Sequence, residues 1–320
     1  MRSPNSAAFA VDTSAYTTSI AVVSGGRVAL DRRMMLAVPR GSRGLRQSEA
    51  VFAHVKNLRA LFSESHDWGE DKPQISAVAY SEKPCPAEQS YMPVFCVGAS
   101  HAAAYAAALG VKPYVLTHQH GHLYAAFFGN DLPDGEYGAM HVSGGTLDIL
   151  RVTVDSALVA DIKPLGGSLD ITCGQLIDRV GVAAGLPFPA GSHMEQLYRP
   201  GARKLAVRVN GLHANLSGAE TQALRRLADG EDPAEVCSAA FDCVAETLAR
   251  LSAHEAGELG LGRFILSGGV IAGTVIRERL SDIAHEKGIG LILTQREYCG
   301  DNACGLALAA ERLHSKGVLA

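Results

Sequence analysis

Charge is scarce in this 320-residue chain: Asp, Glu, Lys and Arg make up 19%, while 47% of the residues are hydrophobic. An ordinary globular protein carries roughly 25% charged residues. A chain this apolar can bury a large core, which excludes wholesale disorder. Neither sign of charge dominates. With Asp+Glu 33 against Lys+Arg 29, the net charge is −4. That excludes a binder that presents its whole surface to nucleic acid and leaves room only for a local basic patch. Cys-x-x-Cys pairs are missing as well. Cys85, Cys96, Cys173, Cys237, Cys243, Cys299 and Cys304 are scattered and odd in number. Neither a disulfide framework nor a cysteine zinc site is expected, and the implied compartment is reducing, hence cytoplasmic. Met1 to Ala10 has one Arg and no long apolar stretch, so no signal peptide is expected. The most membrane-like run, Val94 to Val111, is rich in Ala and Gly and contains His101. It reads as a buried helix rather than a membrane span.

What is present is repetition. At roughly 150 residues per domain, the length allows about two domains or two lobes of one enzyme. Ala8-Phe9-Ala10-Val11-Asp12 reads as a buried strand that ends in the polar turn Thr13-Ser14. Ser19 to Val23 is a second strand, Ser24-Gly25-Gly26 a hairpin turn, and Arg27 to Met35 a third strand. Glycine supplies the positive φ that such a turn needs. An amphipathic stretch, about Gln47 to Phe62, leads to a strand at Ile75 to Tyr80, a long Ala-rich helix and a strand at Pro113 to Leu116. In the second half, Tyr137 to Val142 is a strand ending in Ser143-Gly144-Gly145-Thr146. Leu147 to Val154 and Ala157 to Ile162 complete a second meander. Helices are expected at about Leu169 to Ala184 and Pro233 to Glu258. Then come a strand at Arg263 to Leu266, Ser267-Gly268-Gly269 opening a helix, a strand at Gly290 to Thr294 and a last helix from about Asn302 to Leu313.

Each half is therefore three strands, a helical crossover, a strand, a helix and a strand. That order predicts a mixed sheet flanked by helices in each lobe. Two such duplicated lobes make the α/β actin-like ATPase (ASKHA) fold of sugar kinases and heat-shock chaperones. The expected division is lobe I over 1–135 and lobe II over 136–299, with the C-terminal helix, 300–316, packing back on lobe I.

In this architecture tight turns at strand ends aim backbone N–H groups at a nucleotide, and glycine allows the close approach. Three turns qualify: Asp12-Thr13-Ser14, Ser143-Gly144-Gly145-Thr146 and Ser267-Gly268-Gly269. The third is expected to open a helix, whose N-terminal dipole also favours an anion. Val142, Ser143, Gly144, Gly145, Thr146, Gly268 and Gly269 are the nucleotide-binding candidates, and Asp12 is assigned a catalytic role.

Thr117-His118-Gln119-His120-Gly121-His122 follows a strand and precedes an Ala/Phe-rich helix. On a helix, His118 and His122 share a face and can chelate one divalent metal, with Thr117 as N-cap. The bland reading, a polar helix start with surface histidines, has equal standing on spacing alone. Asp301, in Cys299-Gly300-Asp301-Asn302-Ala303, is the candidate third ligand, or else the N-cap of the last helix. A zincin would need Glu after the first His as general base, and Gln119 stands there, which disfavours a peptidase. Asp178 and Asp170 lie two helical turns apart, and one of them could accept ribose hydroxyls. The alternative is a solvated face paired with Arg179. Phe188-Pro189-Ala190-Gly191-Ser192 is a loop that could border a base pocket. Arg27, Arg32, Arg33, Arg40, Arg43 and Arg46 form a basic run near Asp31, with no aromatic residues interleaved as a stacking platform would require.

These motifs, in order along nearly the whole chain, resemble the TsaD family of tRNA threonylcarbamoyladenosine transferases, once described as O-sialoglycoprotein endopeptidases or glycoproteases. The resemblance is carried by Asp12-Thr13-Ser14, His118-x-x-x-His122, Val142-Ser143-Gly144-Gly145, Asp178-Arg179-Val180 with Gly185-Leu186-Pro187-Phe188-Pro189, Leu216-Ser217-Gly218, Ser267-Gly268-Gly269-Val270 and Cys299-Gly300-Asp301-Asn302-Ala303. It implies transfer of a threonylcarbamoyl group from its adenylate to a tRNA adenosine. It also implies one divalent metal ion (Fe, Zn or Mg) on His118, His122 and Asp301. Contacts to an adenine nucleotide (ATP, ADP or an acyl-adenylate) are implied at Val142 to Thr146, Asp178 and Gly191, together with tRNA and the protein partners of a tRNA-modification complex.

The chain also departs from the family pattern. The family's Cys-Asp-Glu after the first turn is here Ala15-Tyr16-Thr17, and its Ser/Ala-Gly-Pro-Gly loop is Glu82-Lys83-Pro84-Cys85-Pro86. Its Pro-Gly-Gly-Pro is Pro189-Ala190-Gly191-Ser192, and its Asn after Gly-Gly-Val-x-Ala is Gly273. The chain therefore resembles a divergent paralogue. The rival readings are a non-catalytic nucleotide-binding assembly partner and a glycoprotease-type metallopeptidase.

Overall fold

The computed structural model describes residues 6–37, 45–64 and 73–318. Contacts divide the chain into two units, one of residues 1–129, 157–159 and 301–320, the other of residues 130–156 and 160–300.

In the first unit, β1 (Ser6–Thr13), β2 (Thr17–Ser24) and β3 (Arg27–Met35) form an antiparallel meander. Gly25 and Gly26, with φ of 59° and 74°, close the hairpin between β2 and β3. This is the paired positive φ that a two-residue turn demands. Then follow α1 (Gln47–Glu64), β4 (Gln74–Lys83), α2 (Phe95–Leu109), β5 (Tyr114–Thr117) and α3 (His118–Ala125). The sheet order is β3-β2-β1-β4-β5, with β4 and β5 parallel to β1.

The second unit contains β6 (Gly135–Val142), β7 (Leu147–Asp155), β8 (Leu158–Ser168), α4 (Cys173–Ala183), α5 (Gly191–Glu195), β9 (Arg208–Asn210), β10 (His213–Asn215), α6 (Ser217–Ala228) and α7 (Pro233–Leu259). It continues through β11 (Arg263–Ser267), a 3₁₀ turn (Gly269–Ala272), α8 (Thr274–Glu286), β12 (Gly290–Leu293) and α9 (Arg296–Cys299). Its sheet reads β12-β11-β6-β7-β8-β10-β9. Read from β8, the order β8-β7-β6-β11-β12 repeats that of the first sheet, so the repetition in the sequence is a duplication of topology. The last helix, α10 (Cys304–Ser315), belongs to the first unit.

Alternation along β1 decides what packs where. Ala7, Phe9 and Val11 join Ile20, Val22, Leu58, Leu61, Val78 and Val97 in one core. In a strand, successive side chains point to opposite faces, so Ala8, Ala10 and Asp12 face the other way. α10 packs on β1, β2 and β4, and Cys304, Gly305, Ala307, Ala309 and Ala310 on it are buried. Small residues on both partners let helix and sheet approach closely, and Asp12 ends that small-residue face. The second unit has its own core, built on Met140, Ile149, Leu176, Phe241, Phe264 and Leu266. Among the described residues no helix is long and apolar enough to cross a membrane.

Several expected element edges move. Ala157 lies in a turn with φ 58°, beside Ser156 at 52°, so β8 starts one residue later than expected. The helix expected from Leu169 begins at Cys173. Ser267-Gly268-Gly269 opens a 3₁₀ turn and not an α-helix; α8 follows from Thr274.

Candidate functional site

In the first unit, the start of α3 is set by its cap. Thr117 is extended, and its hydroxyl accepts the His120 N–H while the His120 ring reaches back to the Thr117 N–H, a reciprocal capping box. His120 is thereby committed to the helix start, and burial pushes its imidazole down to about 4. His118 and His122, one turn apart, remain on a common face. Their Nε2 atoms are 3.1 Å apart, with the rings edge to face at 4.6 Å. Asp301 Oδ1 lies 3.5 Å from the Nε2 of each. The three donor atoms form a nearly equilateral triangle. A divalent ion bound at about 2.0–2.1 Å in tetrahedral geometry holds its ligands about 3.3 Å apart, so nitrogen, nitrogen and oxygen here match in type and in spacing.

Two glycines bring Asp301 to this place. A Cβ on Gly305 would sit 1.8 Å from the Gly121 carbonyl oxygen, and one on Gly121 would sit 3.3 Å from Leu306 Cγ. Glycine at 305 lets α10 and α3 meet this closely, and Gly121 leaves room for Leu306. The alternative role for Asp301, helix cap, falls to its neighbour: Asn302 Oδ1 accepts the Cys304 N–H at 2.9 Å. Asp301 Oδ2 instead accepts the Ser14 hydroxyl.

Asp12, expected to be catalytic, is completely buried. One of its oxygens accepts the Ser81 hydroxyl, and the other is 3.0 Å from His118 Nδ1. The carboxylate sits behind the ring, enclosed, with its contacts to Ser81 and His118. A carboxylate at Nδ1 takes that N–H, which leaves the Nε2 lone pair of neutral His118 facing His122 and Asp301. The register break in β4 between Ser81 and Lys83 falls beside this contact.

The charges are coupled. Burial by itself pulls His118 down, yet Asp12 and Asp301 outweigh it and hold the imidazole well above its ordinary value. Burial would raise Asp301, but His118 and His122 hold its carboxyl well below the usual range. His122 is lowered, chiefly by burial.

The second unit places its candidate residues at the carboxyl ends of β6 and β11, where open α/β sheets bind ligands. Ser143 N–H donates to Thr146 O at 2.9 Å, closing the turn after β6. Two amides expected to face a nucleotide, those of Gly145 and Thr146, fold onto Ser143 Oγ at 3.3 and 3.1 Å. α4 rests on this turn: Thr172 Oγ1 donates to Gly144 O at 2.9 Å, and a Cβ on Gly174 would lie 2.5 Å from Gly144 Cα. Gly268 has φ 107°, and a Cβ there would meet the Val142 carbonyl oxygen at 2.2 Å. Gly269 has open space around it. On α4, Asp178 Oδ1 accepts the Ala190 N–H at 2.8 Å, which ties the loop before Gly191, and burial raises its carboxyl.

Other expectations are corrected by partners remote in sequence. Asp170 lies outside α4 and accepts the Leu216 and Ser217 N–H groups at 2.8 and 3.1 Å, capping α6. Arg179 pairs with Glu220 and not with an aspartate. In the basic run, Arg27 and Arg32 are exposed on the edge strand β3, Arg33 is bound to Asp31, and Arg40 and Arg43 lie outside the described residues. Sequence reasoning missed Ser81 and Glu195. Glu195 Oε1 accepts the Val275 N–H at 2.9 Å and fills the space a Cβ on Gly273 would need. Its only signal in the sequence is its position one helical turn after Gly191.

The family model for TsaD, tRNA N6-adenosine threonylcarbamoyltransferase, matches residues 43–308. A tRNA N6-adenosine threonylcarbamoyltransferase of Geotalea uraniireducens (strain Rf4) is 27% identical over 97% of this chain and 92% of its own length. Among solved structures, full-length HypF in a phosphate- and nucleotide-bound form superposes with a TM-score of 0.63 at 12% identity, over 97% of this chain and 55% of that one. An activator of 2-hydroxyisocaproyl-CoA dehydratase from Clostridium difficile with bound ADPNP gives 0.58 at 13% identity, over 98% of both chains. Likeness at this identity establishes the fold, the actin-like ATPase fold.

Proposed function

This chain belongs to the TsaD family of tRNA N6-adenosine threonylcarbamoyltransferases, and we propose from that premise that it transfers a threonylcarbamoyl-type group from its adenylate to tRNA. In that reaction the N6 amine of an adenosine attacks the carbamoyl carbonyl carbon, the bond from that carbon to the phosphate oxygen breaks, AMP leaves and N6 loses a proton. The observation that carries the reading is the convergence of His118, His122 and Asp301 on one point.

Those three residues would hold one divalent cation (Fe, Zn or Mg), which supplies Lewis acidity to a carbamoyl or carboxylate oxygen. Asp12 is a positioning residue: it keeps the proton on His118 Nδ1 and fixes the ring. In the second unit, Gly144 and Gly269 are the backbone positions this reading gives to the adenylate phosphate, because the amides of Ser143, Gly145, Thr146 and Gly268 already donate within the protein. Asp178 and Gly191 serve the ribose side. The cytoplasm, tRNA and the partners of a tRNA-modification complex are the setting this reading implies.

The test is direct. Full-length protein, threonylcarbamoyl-adenylate, unmodified tRNA and candidate partner proteins are incubated, and the nucleosides are analysed by mass spectrometry. Threonylcarbamoyladenosine should form, and His118→Ala should lower its yield by more than 100-fold. Nucleotide binding without any transfer would overturn the reading in favour of a non-catalytic assembly partner. One observation speaks for that second reading: Gly273 stands where the family has Asn, with the Glu195 carboxylate beside it.

A further inference from the structure

Behind the metal corner runs a chain of buried hydrogen bonds that starts on α1. His54 is wholly buried. Its Nε2 lies 2.9 Å from the Ser14 carbonyl oxygen, and its Nδ1 lies 2.8 Å from Thr18 Oγ1. Asn57, one turn later on α1, donates to the same Thr18 oxygen at 3.1 Å. Burial lowers the His54 imidazole, so the ring carries one proton, and these partners place it. A carbonyl only accepts, so Nε2 carries the hydrogen. Nδ1 then accepts the Thr18 hydroxyl, whose oxygen in turn accepts from Asn57. The ring is neutral and has one orientation. Ser14, held by its carbonyl and by its N–H to Thr17 O at 3.1 Å, directs its own hydroxyl to Asp301 Oδ2. Asp301 Oδ1 is the atom that faces His118 and His122.

We propose that His54 is a positioning residue for the metal corner, acting through Ser14 on the orientation of Asp301. A merely structural histidine would require only that α1 stay packed on β2. Here the contact goes to a turn residue whose other end touches a candidate ligand, and a carboxylate held by a fixed hydroxyl donor keeps one oxygen free for a cation. The inference rests on the metal reading above, and its test separates the two. Outer partners of metal ligands typically contribute about 10–100-fold in affinity.

The experiment measures Co²⁺ affinity by competition with a chromophoric chelator on the full-length protein, with the visible spectrum of bound Co²⁺ as a second readout. His54→Leu should bind at least about 10-fold more weakly, with an altered spectrum. His54→Gln, which keeps one donor for Ser14 and one acceptor for Thr18, should restore binding. Ser14→Ala should show a similar loss, and the double variant Ser14→Ala/His54→Leu should be no weaker than Ser14→Ala alone. If His54→Leu does not fold, Thr18→Val removes the hydroxyl that fixes the ring and should still weaken binding. A folded His54→Leu with wild-type affinity and spectrum would overturn the proposal, as would losses that multiply in the double variant, or wild-type affinity in Thr18→Val where that variant has to serve. If the wild-type protein itself binds no Co²⁺, the metal reading fails first.

Discussion

The ends of β1 and β6 hold the same place in the two copies of the fold, yet they are made of opposite materials. β1 ends in Asp12-Thr13-Ser14, whose side chains are buried and engaged. Asp12 meets Ser81 and His118; Thr13 accepts the Gly98 N–H at 3.0 Å and donates to Val94 O at 2.9 Å; Ser14 meets Asp301. β6 ends in Ser143-Gly144-Gly145, where both glycines are exposed and the turn is tied by Ser143 from within and by Thr172, the N-cap of α4, on the Gly144 carbonyl. A small cation needs donors locked at fixed spacing, and buried side chains provide them. Exposed glycines leave room around the turn instead. Duplication therefore preserved the place of the turn, at the strand end, and left the side chains that furnish it to each copy.

The largest expected effect concerns buried acids, which differ between the units in the same sense. Asp12 and Asp301 in the first unit have partners. Glu255 on α7 is wholly buried, a Cβ on Gly138 would come within 2.8 Å of its Oε1, and neither carboxyl oxygen has a hydrogen-bond partner among the described residues. Burial raises its carboxyl to about 8. The folded state then keeps a proton that the unfolded chain loses above about pH 4.5, so the contribution to stability is full below that pH and is lost as pH rises towards 8. The loss is on the order of 3–5 kcal/mol. Asp301, held low, has the opposite sign: its contribution is lost as pH falls below the usual carboxylate range. Urea unfolding at pH 5 and pH 8 checks this. Glu255→Gln should gain stability over wild type increasingly with pH; a constant difference would erase the contrast between the two units.

Next in size are the glycines. Gly305→Ala should cost about 2–3 kcal/mol, because its methyl group would strike the α3 backbone. It should also weaken metal binding by at least about 10-fold, because Asp301 moves with α10. Gly144 has no heavy atom within 4 Å of its would-be Cβ. Gly144→Ala should therefore change stability by no more than about 0.5 kcal/mol. Equal losses in urea unfolding would break the distinction between a packed corner and an open turn.

The smallest effect is one proton. A cation on His118 Nε2 must displace the proton that Asp12 and Asp301 stabilise, so affinity should rise up to about tenfold, or about 1.4 kcal/mol, per pH unit until His118 is neutral. Calorimetry with Zn²⁺ in buffers of different ionisation enthalpy should record the release. Binding without proton release would show that His118 carries no such charge.

What could be read from the chain beforehand was what local chemistry controls. Thr117 as N-cap and the Gly25-Gly26 turn were legible because capping and positive φ are decided within four residues. The turn at Ser156-Ala157 was not, because neither residue advertises the positive φ it adopts. Asp170 was read beside Asp178 on one helix, whereas it caps α6 across 46 residues of sequence, a partnership no spacing rule reaches. On β3 the basic run is an edge strand with Arg27 and Arg32 exposed and Arg33 paired to Asp31, while Arg46 lies just before α1.

The chain alone determined the two-fold order of strands and helices and the pairing of His118 with His122, because periodicity and the pitch of a helix are properties of neighbouring residues. Tertiary structure decided that Asp301 is a partner of those rings and Asn302 the cap. It also decided that Asp12 stands behind a histidine, out of solvent, and that His54 reaches Ser14. Those outcomes depend on how closely α10 approaches α3 across Gly121 and Gly305 and on which polar atoms burial deprives of water, and neither quantity is set by neighbours in sequence.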